Sequence, residues 1–180
     1  MPFTPFHLGP AAALKAMMPK SFSLTVFGVT QVIIDTEPLY YMTQGLWPIH
    51  RVFHTYLGAT GVALFVLLIG KPVCEVGLRL WNWRLDAHQR DWLEVEPKIA
   101  WRAAVTGAFA GAYSHVLLDS MMHGDVRPFA PFSEDNGLLG VISLVQLHLL
   151  CLGLGMVGGA LLLLAVSFNP DLWARRRRGG

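Results

Sequence analysis

The chain has 180 residues, of which 53% are hydrophobic and only 14% are charged. A soluble domain carries about 25% charged residues, so the composition predicts a membrane protein. The net charge of +2 comes from basic residues that are dispersed or lie at the edges of apolar stretches, and we therefore expect no nucleic-acid partner.

Four apolar stretches are long enough to cross a hydrocarbon core, which takes about 20 helical residues. They cover residues 21–42, 49–70, 99–122 and 138–168. Between the second and third stretches, residues 71–98 repeat leucine and tryptophan at helical spacing among arginines, which predicts an interfacial helix; the alternative is a soluble loop. The predicted fold is all-α: one integral membrane four-helix bundle over residues 1–180, with a basic tail at 169–180.

The basic residues predict the orientation of this bundle. All lysines and arginines except Arg51 and Arg127 fall on the side that holds the N-terminus, the 71–98 segment and the C-terminus. The positive-inside rule makes that side cytoplasmic, so we expect a multi-pass inner-membrane protein with cytoplasmic termini. GxxxG patterns at residues 107–111 and 155–159 predict close helix contacts. The sequence does not decide whether these patterns also form an oligomer.

Ionisable residues recur with helical spacing inside two of the apolar stretches. His115, Asp119 and His123 follow one another four residues apart, and His50 and His54 repeat this spacing in the second stretch. In a helix, residues four apart share one face. The sequence thus predicts two polar stripes on otherwise apolar helices.

The first apolar stretch brings two further carboxylates, Asp35 and Glu37, to the same end of the bundle as the histidines. Arg51 and Arg127, the two arginines outside the cytoplasmic side, each lie beside one of the histidine motifs. Inserting an ionisable residue into a membrane helix costs at least about 2.5 kcal/mol, so this convergence predicts a functional site on the outer, periplasmic side.

Imidazoles and carboxylates without a thiolate form the ligand set of an open, catalytic site for zinc, manganese or iron. The predicted metal ligands are Asp35, His54, His115, Asp119 and His123. Zinc is the first choice of metal, and the number of candidates leaves one or two ions open. Glu37 or His50 is the predicted general base, and Arg51 or Arg127 the predicted group that binds anionic charge of the substrate.

Four motifs resemble a known family. They are Met1-Pro-Phe-Thr-Pro-Phe-His7, Asp35-Thr-Glu-Pro38, His50-Arg-Val-Phe-His-Thr55 and Ser114-His-Val-Leu-Leu-Asp-Ser120. In this order they resemble the membrane-bound metal-dependent hydrolase family, the YdjM-like group, over residues 1–131. The resemblance implies an inner-membrane protein with a His and Asp metal centre and hydrolase activity, and it adds His7 as a metal ligand. His7 reaches the outer site only if residues 8–20 form a re-entrant or broken helix.

The resulting hypothesis is a membrane-embedded metal-dependent hydrolase that activates water against an ester or phosphodiester of a lipid or other amphiphile. Membrane lipids are its expected partners. Two alternatives stay open: a haem-binding four-helix electron-transfer protein that uses a pair such as His54 and His115, and a metal or proton transporter. Nearby carboxylates count against haem, and inner helix halves without polar residues count against a transport pathway.

Overall fold

The protein is described by a computed structural model that covers residues 5–168, and these residues form helices and connecting turns without a strand. The all-α prediction is therefore confirmed for the described part of the chain. A 3₁₀ helix at Pro5–Leu8 precedes seven α-helices: α1 Gly9–Met17, α2 Leu24–Thr43, α3 Tyr56–Phe65, α4 Lys71–Arg84, α5 Ala87–Leu93, α6 Trp101–Met122 and α7 Leu144–Phe168. A single π-helical segment, Val66–Gly70, joins α3 to α4.

The second predicted helix, at residues 49–70, has both ends wrong. Its first turn begins only at Tyr56, where the side chain of Thr55 caps the helix by accepting a hydrogen bond from the backbone N–H of Gly58 (2.9 Å). Residues 44–55 form a loop instead. At the other end the helix continues without a break to Arg84, so that α3, the π segment and α4 form one helix of 29 residues.

The two connections around α6 also differ from their predictions. The predicted interfacial segment 71–98 contains α4, which continues α3, and the short α5, which begins with an Asp86–Gln89 capping box. The fourth predicted helix, at 138–168, begins only at Leu144. Gly140 adopts a left-handed conformation (φ 71°), which an α-helix cannot contain, so the predicted helix cannot extend back through this residue. The first and third predicted helices match α2 and α6 closely.

Close packing between α2 and α6 builds the core. A Cβ atom added at Gly107 would lie 2.6 Å from the carbonyl oxygen of Ser23, and one added at Gly111 would lie 3.0 Å from that of Phe27. The first GxxxG pattern therefore lets the backbone of α6 approach α2. Ala104, which is fully buried, lies on this alanine-rich side of α6. This contact fixes the end of α2 beside the last turns of α6.

A second close contact holds α1 against α7. A Cβ at Gly9 would lie 2.0 Å from the carbonyl oxygen of Cys151, and one at Gly158 would lie 2.3 Å from the backbone nitrogen of Ala13. Gly159 has nothing within 4 Å of its hypothetical Cβ. Of the second GxxxG pattern, Gly155 takes part in this contact and Gly159 does not, because the two helices meet at Gly158.

Two of the described helices, Tyr56–Arg84 and Leu144–Ala165, have the length and apolar composition needed to cross a membrane. Helices α2 and α6, which carry the buried acidic residues, do not reach that composition. The four-span bundle is thus supported for two helices. The basic tail at 169–180 and the first four residues lie outside the described residues, as do the predicted locations of both termini.

We predict that Gly158→Leu lowers the melting temperature of the detergent-solubilised protein, whereas Gly159→Leu leaves it unchanged. A side chain at position 158 would collide with the backbone of α1, and such overpacking costs about 1–3 kcal/mol. Circular dichroism or intrinsic fluorescence during heating measures the difference. Equal melting temperatures for the two variants would contradict the α1–α7 contact.

Candidate metal centre

Ionisable side chains from four segments meet at one end of the bundle. The 3₁₀ helix supplies His7, α2 supplies Asp35 and Glu37, the 44–55 loop supplies His50 and His54, and the end of α6 supplies His115, Asp119 and His123. The α2–α6 contact brings the carboxylates of α2 next to the end of α6. Most of these side chains are buried, with His54 and His115 at 0% exposure, so the site lies inside the protein.

Asp35, His54, His115 and Asp119 form the first cluster, in which one ligand atom from each residue lies within 4.8 Å of the others. The Oδ2 atom of Asp119 is 3.3 Å from His54 Nε2 and 3.4 Å from His115 Nε2. His115 Nε2 is also 3.4 Å from Asp35 Oδ1. Two atoms bound about 2.0–2.1 Å from a tetrahedral zinc ion lie about 3.3 Å apart, so these separations suit a shared ion.

Three atoms of this cluster are buried without a hydrogen-bond partner. Among the described residues, His54 Nε2, His115 Nε2 and Asp119 Oδ1 are buried and unpartnered. Hydrogen bonds between charged nitrogen and oxygen groups are shorter, about 2.7–2.9 Å, than the separations found here. Since buried polar atoms are nearly always paired, the cluster is able to hold a metal ion.

The opposite nitrogen of each imidazole is held by a hydrogen bond. His54 Nδ1 lies 3.1 Å from Glu37 Oε2. His115 Nδ1 is hydrogen-bonded to Gln31 Oε1, while the Gln31 amide nitrogen donates to the carbonyl oxygen of Gly111 (3.1 Å). This second bond fixes the direction of the amide, so His115 Nδ1 must be the donor, which in the neutral imidazole leaves the lone pair on Nε2. Such partners orient metal-binding histidines.

Glu37 shapes the loop that carries the histidines. Its carboxylate accepts hydrogen bonds from the backbone N–H groups of Arg51 (2.9 Å) and Phe53 (3.1 Å), in addition to its contact with His54. These bonds occupy both carboxylate oxygens. The geometry therefore favours a positioning role for Glu37 over the predicted role as general base.

His50, His123 and Asp125 form the second cluster, with one ligand atom from each within 4.8 Å of the others. His50 Nδ1 is 2.8 Å from Asp125 Oδ1, and the backbone N–H groups of Ile49 and His50 donate to Asp125 Oδ2. Burial alone would raise the pKa of the Asp125 carboxyl, but these hydrogen bonds hold that pKa below its ordinary value. Asp125 is therefore ionised, and its carboxylate holds the His50 ring in place.

The predicted helical stripes account for only part of this arrangement. His115 and Asp119 do share one face of α6, but His123 follows the last helical residue and has an extended backbone (φ −116°, ψ 121°). Its ring stacks on His50 with 4.4 Å between centroids. His50 and His54 lie in the loop before α3, and the prediction that they share a helix face is wrong.

His7 reaches the site from the start of α1. Its Nε2 atom lies 3.4 Å from Asp119 Oδ1, and neither ring nitrogen has a hydrogen-bond partner. Helix α1 runs from this end of the bundle to the opposite end, where Lys15 donates to the carbonyl oxygen of Phe22 (2.8 Å). Helix α1 ends at Met17 and the chain turns back into α2, so residues 8–20 contain the break that the sequence required for His7 to reach the site.

A cavity of about 480 Å³ opens beside the second cluster. Its lining includes Trp47, His50, Arg51, Asp125, Arg127 and Glu134. The guanidinium of Arg51 lies 3.8 Å above the Tyr41 ring, and Arg127 donates to the carbonyl oxygen of Gly124 (2.8 Å). Both arginines that the sequence singled out therefore line one cavity next to the metal centre.

The sequence analysis did not identify Gln31 and Asp125 as site residues. Gln31 stands four residues before Asp35 on α2, and this spacing is the signal that could have found it. Asp125 follows His123 in the loop after α6, where exposed acidic residues are ordinary. His148 of α7 packs against Phe6 (4.5 Å between ring centroids) and belongs to neither cluster.

Comparisons of the chain with protein-family models, curated proteins and solved structures gave no match. The architecture and the site together define an all-α protein with a buried His and Asp cluster able to hold a metal ion.

We predict that Gln31→Leu weakens zinc binding by about 10- to 100-fold, because His115 loses the group that fixes its tautomer. Gln44→Leu, at the exposed residue that follows α2, serves as the control and should bind zinc like the wild type. Competition with a chelator of known affinity measures both. Equal affinities for the two variants would contradict the positioning role of Gln31.

Proposed function

We propose that this protein is a membrane-embedded metal-dependent hydrolase whose first cluster holds a divalent ion, with zinc the best match. The observation that carries the proposal is the buried cluster of Asp35, His54, His115 and Asp119, whose facing nitrogen and oxygen atoms lie 3.3–3.4 Å apart. Within it, His54 Nε2 and His115 Nε2 are buried without a hydrogen-bond partner. A divalent ion bound there supplies Lewis-acid chemistry, which lowers the pKa of water toward neutrality and polarises an ester or phosphoryl group.

The residues of the chain have distinct roles in this proposal. His54, His115, Asp35 and Asp119 are the ligands, and His7 joins them through its contact with the second oxygen of Asp119. Glu37 and Gln31 hold the imidazoles with their lone pairs toward the ion. The motif resemblance to membrane-bound metal-dependent hydrolases supports the same activity.

The cavity supports an anionic, amphiphilic substrate. Arg51 and Arg127 line it and suit a phosphate or carboxylate group. Large apolar side chains at this end of the protein are exposed, with Trp47 at 72% and Phe132 at 87%. Exposed apolar patches of this kind mark contact with lipids or apolar ligands. We therefore propose a lipid ester or phosphodiester as substrate, presented at the outer leaflet.

The geometry favours a metal ion over haem. The rings of His54 and His115 are only 5.2 Å apart between centroids, and the Nε2 atoms of both face Asp119 Oδ2. Haem ligation by this pair would place a porphyrin between the two rings, where the carboxylate lies. We expect the purified protein to show no Soret band; a Soret band would favour haem.

We predict that metal content and hydrolysis are lost together in His115→Ala and Asp119→Asn. The test measures bound zinc, manganese and iron by mass spectrometry and turnover of lipid esters and phosphodiesters in mixed micelles. His88→Ala, an exposed histidine on α5, is the matched control and should retain both. A wild-type protein that binds metal but hydrolyses none of these substrates would contradict the hydrolase proposal and leave the metal centre intact.

We predict that Arg51→Gln and Arg127→Gln each raise KM about tenfold for anionic substrates, because each removes a charge-assisted hydrogen bond. Their KM for a neutral ester should stay unchanged. Arg79→Gln, an exposed arginine on α4, is the control. Steady-state kinetics with a phosphodiester and a neutral ester gives the comparison, and equal effects on the two substrates would overturn the assigned role.

A further inference from the structure

We propose that the centre holds a second metal ion, bound by His50 and His123, with Asp119 shared between the two ions. This inference rests on the proposed metal centre but not on hydrolase activity. It also gives His50 a different role from the predicted one, as a ligand and not a general base.

His50 is presented as a ligand by the carboxylate of Asp125. That carboxylate lies 2.8 Å from His50 Nδ1 and also accepts from the backbone N–H of His50 (3.1 Å). Because Asp125 is a carboxylate, His50 Nδ1 carries the hydrogen, and in the neutral imidazole His50 Nε2 carries the lone pair. A carboxylate–histidine pair of this kind is the usual support of a metal-binding imidazole.

The lone pair of His50 faces Asp119. The Nε2 atom of His50 lies 4.0 Å from Asp119 Oδ2, too far for a hydrogen bond. Two atoms that both attract protons approach each other here inside the protein, as they do in the first cluster. A cation between them, or beside both, removes the repulsion.

His123 lies beside His50 in this second position. The two rings stack with 4.4 Å between centroids and 29° between planes, and His123 offers a ligand atom within 4.8 Å of those of His50 and Asp125. The chain brings His123 here only because it leaves α6 in an extended conformation. Two imidazoles and one carboxylate are a sufficient protein ligand set for an open zinc site.

Asp119 is suited to bridge two ions. Its Oδ2 atom faces His54 and His115 of the first cluster as well as His50 of the second, and its Oδ1 atom faces His7. Two-metal sites hold their ions about 3.5–4 Å apart, and a carboxylate can span that separation.

Charge balance also favours two ions. Asp35 and Asp119 are both buried in the first cluster, and Asp125 adds a third buried carboxylate in the second. In the neutral form in which they bind a metal ion, the imidazoles of His50 and His115 bring no charge of their own. A buried carboxylate without compensation is costly, and one divalent ion neutralises only two of the three.

The two positions differ in access to solvent. His50 and Asp125 line the open cavity, whereas His54 and His115 are fully buried behind them. The first ion is therefore enclosed, and the second borders the cavity. We expect the second ion to bind more weakly and to exchange faster than the first.

The test counts zinc in apo protein reconstituted in detergent, by calorimetric titration and by mass spectrometry after desalting. The wild type should take up two equivalents, one tight and one weaker. His123→Ala and His50→Ala should each retain only the tight equivalent, and His88→Ala should retain both. With Mn²⁺ in place of zinc, electron paramagnetic resonance should show exchange-coupled ions in the wild type and an uncoupled ion in His123→Ala.

Asp125→Asn, which keeps the shape of the side chain, tests the second position if His50→Ala fails to fold; it should weaken only the second equivalent. One equivalent in the wild type, unchanged in His123→Ala and lost in His115→Ala, would overturn the second position and leave the first intact. Two equivalents retained in His123→Ala would overturn this ligand assignment. A wild type that binds no zinc or manganese would overturn both metal positions.

Discussion

The carboxylate of Asp119 is the point around which the site is built. Its two oxygens face four histidines that come from three different segments of the chain. At 3% exposure it has almost no contact with water. A carboxylate in such a place needs positive charge close by, because burying it alone is prohibitively expensive. The positions of the surrounding imidazoles follow from this requirement.

The glycine contact between α2 and α6 makes this arrangement sterically feasible. Since Gly107 and Gly111 present no side chain to α2, the backbones come close enough for Gln31 to reach the carbonyl oxygen of Gly111. The same bond turns the Gln31 amide toward His115. The close packing of α2 on α6 and the orientation of His115 therefore depend on the same contact, and a larger residue at either glycine would disturb both.

The sequence predicted the composition of the site better than its geometry. Asp35, His115 and Asp119 were placed correctly because α2 and α6 are regular helices, in which spacing determines the shared face. His50 and His54 were identified for the wrong reason: their loop is shaped by hydrogen bonds to Glu37, which helical periodicity cannot show. The continuation of α3 into α4 was missed because lysine and proline at 71 and 72 resemble a helix end.

His7 shows how metal binding and folding are linked in this protein. It directly precedes the short helix α1, whose main contact is the glycine-mediated packing on α7. Most side chains of α7 are exposed. The contact of His7 with Asp119 ties this helix pair to the α2–α6 core. An ion bound through both residues would stabilise the docked arrangement, because a ligand that binds only the assembled site contributes its binding free energy to assembly. A cation that balances the charge on Asp119 would thus also stabilise the docking of α1.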